Sequence, residues 1–368
     1  MAFPKPGVIE LSVFDRFRSW WRGHPVAAET AVPVVAGRQR GVVDHVIILD
    51  GTFSTLEVGM ETNAGQILRL LREGGQTAQR NVYYEPGLQW EGWRHGWSII
   101  QGRGFDSTIR RAYGWLASHY REGDRIFLFG YSRGAYGVRS LAGVIDRVGL
   151  LKREHATERG VTLVYRHYQS DPGSVSAQAF AHRFCHNEAP VEMVGVFDTV
   201  KSLGIKVPLL WLLVKDKTSF HNHTLGPSIR HGFHALALNE TRNAFAPVLW
   251  ECPPGWESNI EQVWFRGAHG DIGGQIGDLT AARPLANIPL VWMLERAETV
   301  GLDLPAGWRA RFVCDVNAPM VGTWRSWGKF FLIRHKRRVG RDVSERLHQS
   351  VLERRPPGRW FGLFGRQV

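Results

Sequence analysis

Apolar and polar positions along the chain follow two alternating periods, one short and β-branched, the other at helical spacing. Residues 42–49 (VVDHVIIL) form a β-branched run that stops at Asp50-Gly51-Thr52. Branched side chains pack well on a pleated, buried surface, so this run predicts a strand ending in a turn. A helical pattern over 64–72 follows, and then a second strand over 81–84. Ile109, Ala112, Tyr113, Leu116 and Tyr120 recur at helical spacing, which predicts an amphipathic helix over 107–120. The short apolar run RIFLF at 125–129 predicts a strand, and the helical pattern of 135–148 comes after it. Further strands are expected at 191–197 and 260–265, with helices from His234 and over 285–300. Strand and helix in alternation predict an α/β fold, a mainly parallel sheet with helices on both faces. No repeat of fixed period and no low-complexity tract interrupts it.

Composition sharpens this picture. The chain has 368 residues, 43% hydrophobic and 22% charged, which suits a globular protein with a sizeable core. Lys and Arg number 46 against 34 Asp and Glu, giving a net charge of +12. Such an excess points to an anionic partner, for instance phospholipid headgroups, and is silent on the fold. Cys185, Cys252 and Cys314 are scattered, odd in number and without a Cys-x-x-Cys. That pattern argues against a disulfide framework and a thiolate metal site, and a reducing compartment is expected. The opening MAFPKPGVIELSVFDRF lacks a basic segment followed by an unbroken apolar one, and the apolar run 207–214 contains Pro208. Neither a cleavable signal nor the roughly 18 apolar residues of a membrane span is read here, so a cytoplasmic location is expected.

In open parallel sheets, ligands bind beyond the carboxyl ends of the strands, so chemistry is sought there. The strand at 125–129 runs into Gly130-Tyr131-Ser132-Arg133-Gly134 and then a helix. This is the pattern of a nucleophile elbow, a sharp turn that lifts a serine hydroxyl above the sheet, and Ser132 is the candidate nucleophile. A serine at neutral pH needs a base, and the base an orienting carboxylate, in the chain order Ser, Asp, His for this architecture. Asp198 and His269, each at the exit of a predicted strand, fit that order. So do Asp271 and His348, but His348 falls in a segment (SERLHQSVLERR) that reads as a surface helix. The first pair is preferred. Asp271 then takes a structural role in the Gly-rich turn 267–274, binding backbone or positioning the histidine. A metal site from His269, Asp271 and Asp50 is weakly signalled by His-x-Asp alone, and no metal or cofactor is expected. The oxyanion is expected to meet the backbone N–H of Arg133 and a second donor from Gly51 or Thr52, after the first strand.

Several strings now combine. GDRIFLFGYSRGAYGVRSLAG, VGVFDTV and VWFRGAHGDIGG, supported by ILDGT, NVYYEPG and HALALNETRNAFAPVLW, resemble the α/β-hydrolase family that contains the catalytic domain of type VI secretion phospholipase effectors. The resemblance runs in order from residue 43 to residue 300. It implies an α/β-hydrolase fold, a triad carried onto Ser132, Asp198 and His269, and ester hydrolysis with lipid as the best-known substrate class. The chain departs from the family at Phe53-Ser54, where an aromatic followed by Asn is common, and at Arg266, where Pro is usual. Three segments are expected: a basic, aromatic arm (1–40), the catalytic domain (41–310) and a basic extension (311–368). The apolar, lysine-bounded stretch 204–232, which includes His221-Asn222-His223, is read as a lid-like insertion or lipid-facing surface. Basic, Trp- and Phe-rich ends suit peripheral contact with an anionic membrane. No nucleic-acid-binding signature is present, and the oligomeric state is not legible. Two rival readings stand beside the lipid one, a non-lipid esterase or thioesterase and a degenerate hydrolase binding an anionic partner.

Overall fold

Residues Asp44–Leu49 form strand β1, and every one of them is buried. The side chains alternate, so Ile47 and Leu49 enter one hydrophobic cluster while Val46 and Ile48 enter another. A strand covered on both faces reads as an apolar run, and here the apolar residues 46–49 follow the buried Asp44 and His45. In the computed structural model, the described residues are 41–73, 79–87, 103–200, 224–252, 255, 259–325, 328–329 and 331–353. The amino-terminal arm, the core of the lid-like stretch (201–223, with His221 and His223) and residues 354–368 lie outside them.

From β1 the chain continues through helix α1 (Asn63–Glu73), strand β2 (Arg80–Glu85) and helix α2 (Arg103–His119). Strand β3 (Arg125–Tyr131) leads directly into helix α3 (Arg133–Arg147), followed by α4 (Glu158–Ser170) and α5 (Val175–Phe184). Strands β4 (Val191–Phe197), β5 (Gly232–Ala237) and β6 (Ile260–Phe265) come next, then helices α6 (His269–Gly273) and α7 (Arg283–Thr299). Strand β7 (Glu345–Leu347) and helix α8 (Gln349–Glu353) complete the described chain. The seven strands form one sheet in the order β2-β1-β3-β4-β5-β6-β7, and every pairing is parallel. Helices α2, α3 and α4 supply the cluster on one face, and α1 and α7 that on the other. This is the α/β arrangement expected from the sequence, a parallel sheet with helices on both faces.

Two expectations need correction. The segment from His234 is strand β5, because the sheet requires a buried strand between β4 and β6 and all six residues of Gly232–Ala237 are buried. The segment around His348 is helical only from Gln349, in α8: residues 345–347 pair with β6 as the edge strand, and His348 itself lies between strand and helix. Helices α4 and α5 were not legible, since their apolar stripes are short and interrupted by polar residues.

Topology fixes the site. The chain leaves β1 for β2 on one side and returns to β3 on the other, so the loops after β1 and β3 part at their carboxyl ends and leave a crevice. One loop carries Asp50-Gly51-Thr52 and the other carries Ser132.

Candidate active site

The turn after β3 holds Ser132 at φ 57 and ψ −118, a left-handed backbone conformation that a serine seldom adopts. Its neighbours explain how so tight a turn fits. A Cβ at Gly130 would lie 2.6 Å from Ala135 Cα, and one at Gly134 would lie 2.1 Å from Leu49 O. Both positions therefore need glycine, and the elbow packs against the end of β1. The Ser132 N–H donates to Phe197 O (3.0 Å), tying the turn to β4.

Asp198 follows β4 directly, at φ 41, and is fully buried. His269 opens α6 after β6 and is 4% exposed. The structure brings all three together: His269 Nε2 is 2.8 Å from Ser132 Oγ, and His269 Nδ1 is 2.6 Å from Asp198 Oδ2. An ionised carboxylate only accepts, so Nδ1 carries the proton and Nε2 of the neutral ring accepts from the serine hydroxyl. The imidazole is flanked by the rings of Tyr131 (centroids 5.0 Å apart) and Phe245 (4.8 Å). Its backbone N–H donates to Glu240 Oε2 at 3.1 Å.

The Asp198 carboxylate accepts from Ala237 N–H (3.0 Å) and from both terminal nitrogens of Arg337, Nη1 to Oδ1 and Nη2 to Oδ2. Burial acts to raise its pKa, but the Arg337 charge and the hydrogen bonds outweigh it and hold the carboxyl well below the usual range. Sequence reasoning missed Arg337 and Glu240. Arg337 is 139 positions from Asp198 and has no local motif, and the only signal for Glu240 was its place in the family string HALALNETRNAFAPVLW.

On the opposite side of Ser132, the loop after β1 is braced. Gln275 Nε2 donates to Thr52 O (3.0 Å), and the Arg133 guanidinium donates to Thr52 Oγ1. Of the three expected oxyanion donors, Gly51 is engaged elsewhere: its N–H is given to Asp50 Oδ1 at 2.6 Å. The N–H groups of Arg133 and Thr52 donate to nothing among the described residues. Asp50 also accepts from Thr62 Oγ1 (2.7 Å) and Tyr84 OH (2.8 Å), so it organises this loop and stands apart from the contacts among Ser132, His269 and Asp198. Desolvation raises its pKa to about 6, against the lowering effect of those hydrogen bonds.

Asp271 and His348 are not joined. The Asp271 carboxylate accepts from the N–H groups of Ala268 and Val321 (2.8 and 2.7 Å), a backbone role within the turn. His348 is stacked on Phe265, with centroids 4.5 Å apart, and bonded to Ser350 Oγ at 2.8 Å. Burial pushes its pKa down to about 4. No cluster of three or more His, Cys, Asp or Glu suited to a metal occurs among the described residues.

A model of the family described as T6SS, phospholipase effector Tle1-like, catalytic domain, matches residues 44–296. The chain is 29% identical over 235 residues to a Saccharomyces cerevisiae protein, Uncharacterized protein YEL023C, covering 57% of this chain and 33% of the yeast one. It therefore spans about a third of that relative's length. The crystal structure of an uncharacterized protein from Pseudomonas aeruginosa aligns with 74% of this chain and 49% of its own, at 14% identity and a TM-score of 0.42. The structure of the Tle1 effector bound to the VgrG spike from the Type 6 secretion system aligns with 70% of this chain and 58% of its own, at 19% identity and a TM-score of 0.33.

Proposed function

The chain belongs to the family of Tle1-like phospholipase effector catalytic domains, and from that premise we propose that it is a serine hydrolase of carboxylic esters acting on phospholipid. The observation that carries this reading is the hydrogen-bonded chain from Ser132 through His269 to Asp198 at 2.8 and 2.6 Å. In the mechanism, Ser132 Oγ attacks the acyl carbonyl while His269 Nε2 takes its proton. Asp198 holds the ring with Nδ1–H toward itself and stabilises the imidazolium that forms. The negative oxygen develops between the N–H groups of Arg133 and Thr52, at the amino end of α3, where donors and helix dipole favour it. His269 then returns the proton to the leaving alcohol, and a water activated by the same nitrogen releases the acyl group as acid. Arg133 and Gln275 contribute by holding the Thr52 loop at fixed height.

A cytoplasmic enzyme reaching its substrate at an anionic membrane surface, through the basic and aromatic termini, is the location that fits this reading. The test is release of fatty acid from phosphatidylglycerol and phosphatidylcholine vesicles, beside a series of p-nitrophenyl esters of rising chain length. The lipid reading expects vesicle hydrolysis and a rate that rises with acyl length. Turnover of short esters alone, with vesicles untouched, would favour the non-lipid esterase, and no turnover of either would favour the degenerate binder.

A further inference from the structure

Beyond residue 296, where the family match ends, the chain sends one side chain back into the triad. We propose that Arg337 is a positioning residue of the catalytic apparatus, fixing the plane and the charge of Asp198 so that Oδ2 faces His269 Nδ1. This rests on the serine-hydrolase reading above and adds to it a carboxyl-terminal component.

Three observations lead there. First, the contact is a buried fork: the Arg337 side chain is 5% exposed, Asp198 is fully buried, and two parallel N–H···O contacts join them. Bidentate arginine–carboxylate pairs restrict geometry as well as adding energy, because both planes must coincide. The guanidinium also donates to Ala237 O (2.9 Å) and Phe245 O (2.5 Å), so its own plane is anchored to the end of β5 and to the loop after it. Rotating the carboxylate away from His269 would break the fork and the Ala237 N–H bond together.

Second, the backbone of Asp198 stands at φ 41, a region costly to a residue with a Cβ. Such a conformation persists where surrounding contacts over-determine it, and Arg337 supplies two of the four hydrogen bonds to this carboxylate.

Third, the segment that delivers Arg337 is seated against the loop 241–245. Asn243 N–H donates to Ile333 O (3.0 Å) and His335 N–H to Thr241 O (2.7 Å). Arg334 lies over Trp324, with its guanidinium 3.6 Å from the ring centroid, and donates to Gly328 O at 2.8 Å. Arg337 thus enters on a clamped strap. The other charged or titratable groups facing the Asp198–His269 pair are accounted for differently. Glu240 accepts from His269 N–H and is paired with Arg242, burial pushes His234 of β5 down to about 3, and Asp271 is occupied by backbone. Tyr131 stacks on the imidazole as a neutral phenol, its pKa raised by burial. Arg337 is therefore the cation that balances Asp198 among the described residues. Its loss would leave a buried carboxylate without a counter-charge, which would take up a proton or turn away.

The experiment compares wild type, Arg337→Met, Arg337→Lys and Ser132→Ala in the full chain, with turnover expressed per active site titrated by a fluorophosphonate, and per mole of folded protein for Ser132→Ala, which has no serine there to titrate. The expected result for Arg337→Met is a kcat about 100-fold lower with KM little changed, the size of loss that misplacing a catalytic group brings. The acid limb of its pH–rate profile should rise by about one unit, as expected when a neighbouring positive charge is removed. Added guanidinium at millimolar concentration should restore part of the rate. Arg337→Lys keeps the charge without the fork and should fall between the two; it decides the matter should the Met variant fail to fold. Wild-type kcat and pH profile per titrated site in either variant would overturn the proposal. Wild-type activity in Ser132→Ala would instead overturn the serine-hydrolase reading, so the two failures are distinguishable.

Discussion

Asp50 and Asp198 each end a buried strand of the same sheet, yet their surroundings treat them in opposite ways. At Asp50 desolvation dominates, and hydrogen bonds from Thr62, Gly51 and Tyr84 only partly offset it, leaving a pKa of about 6 against an ordinary 3.8. A carboxyl with a raised folded pKa binds more protons folded than unfolded between these values, so stability falls as pH rises through that window. The loss amounts to about 3 kcal/mol at 1.36 kcal/mol per unit. Asp198 behaves in reverse: its depressed pKa adds stability that is present above the unfolded value and is lost as pH drops below about 4. Urea unfolding at pH 4.5 and 7 should show the wild type losing stability between the two, with Asp50→Asn losing less; identical pH slopes would contradict the assignment. For catalysis, Asp198→Asn should lower kcat by roughly 10⁴-fold in an ester assay, as removing a triad carboxylate can. Ser132, Asp198 and His269 were legible because each sits at a strand exit, where a short run of sequence carries both the strand and its polar ending. Arg337 was not, because its meaning exists only across a contact of 139 positions.

At the scale of elements, the elbow depends on β3 and α3 approaching the end of β1. Gly134→Ala would place a Cβ 2.1 Å from Leu49 O, a backbone atom that cannot swing aside. Overpacking of that kind costs about 1–3 kcal/mol or more, so the urea midpoint should fall and activity should fall with it. An unchanged midpoint would mean the turn has more room than the packing indicates. The strands at 42–49, 125–129, 191–197 and 260–265 could be read because parallel strands buried on both faces appear as short, mostly apolar runs. β5 misled because Phe233, His234, Ala235 and Leu236 fit helical and strand spacing equally over so short a stretch, and its neighbours in the sheet settled the matter. Arg266, a departure from the family pattern, has a visible role: it donates to Val316 O and Ala318 O (3.0 and 2.9 Å), fastening the segment after α7 to the end of β6.

On the scale of the whole molecule, the net charge of +12 and the match to a phospholipase effector family are what support the proposed contact with a lipid surface. No helix among the described residues is long and apolar enough to cross a membrane. Each Lys or Arg near an anionic bilayer contributes on the order of 1 kcal/mol, while inserted Trp and Phe add an attraction that salt does not screen. Sedimentation with phosphatidylserine vesicles should therefore show binding that weakens but persists as salt rises. A chain lacking residues 1–38 and 356–368 should bind much less; equal binding by both chains would remove the termini from the account. The claim on which the rest depends is that Ser132 is the nucleophile, and one measurement reaches it most directly. After reaction with a fluorophosphonate, peptide mass analysis should find a single phosphonylated residue, Ser132, with ester turnover abolished in proportion to labelling and no label on folded Ser132→Ala. Labelling of that variant to the wild-type extent, or its hydrolysis of p-nitrophenyl esters at the wild-type rate, would contradict the account.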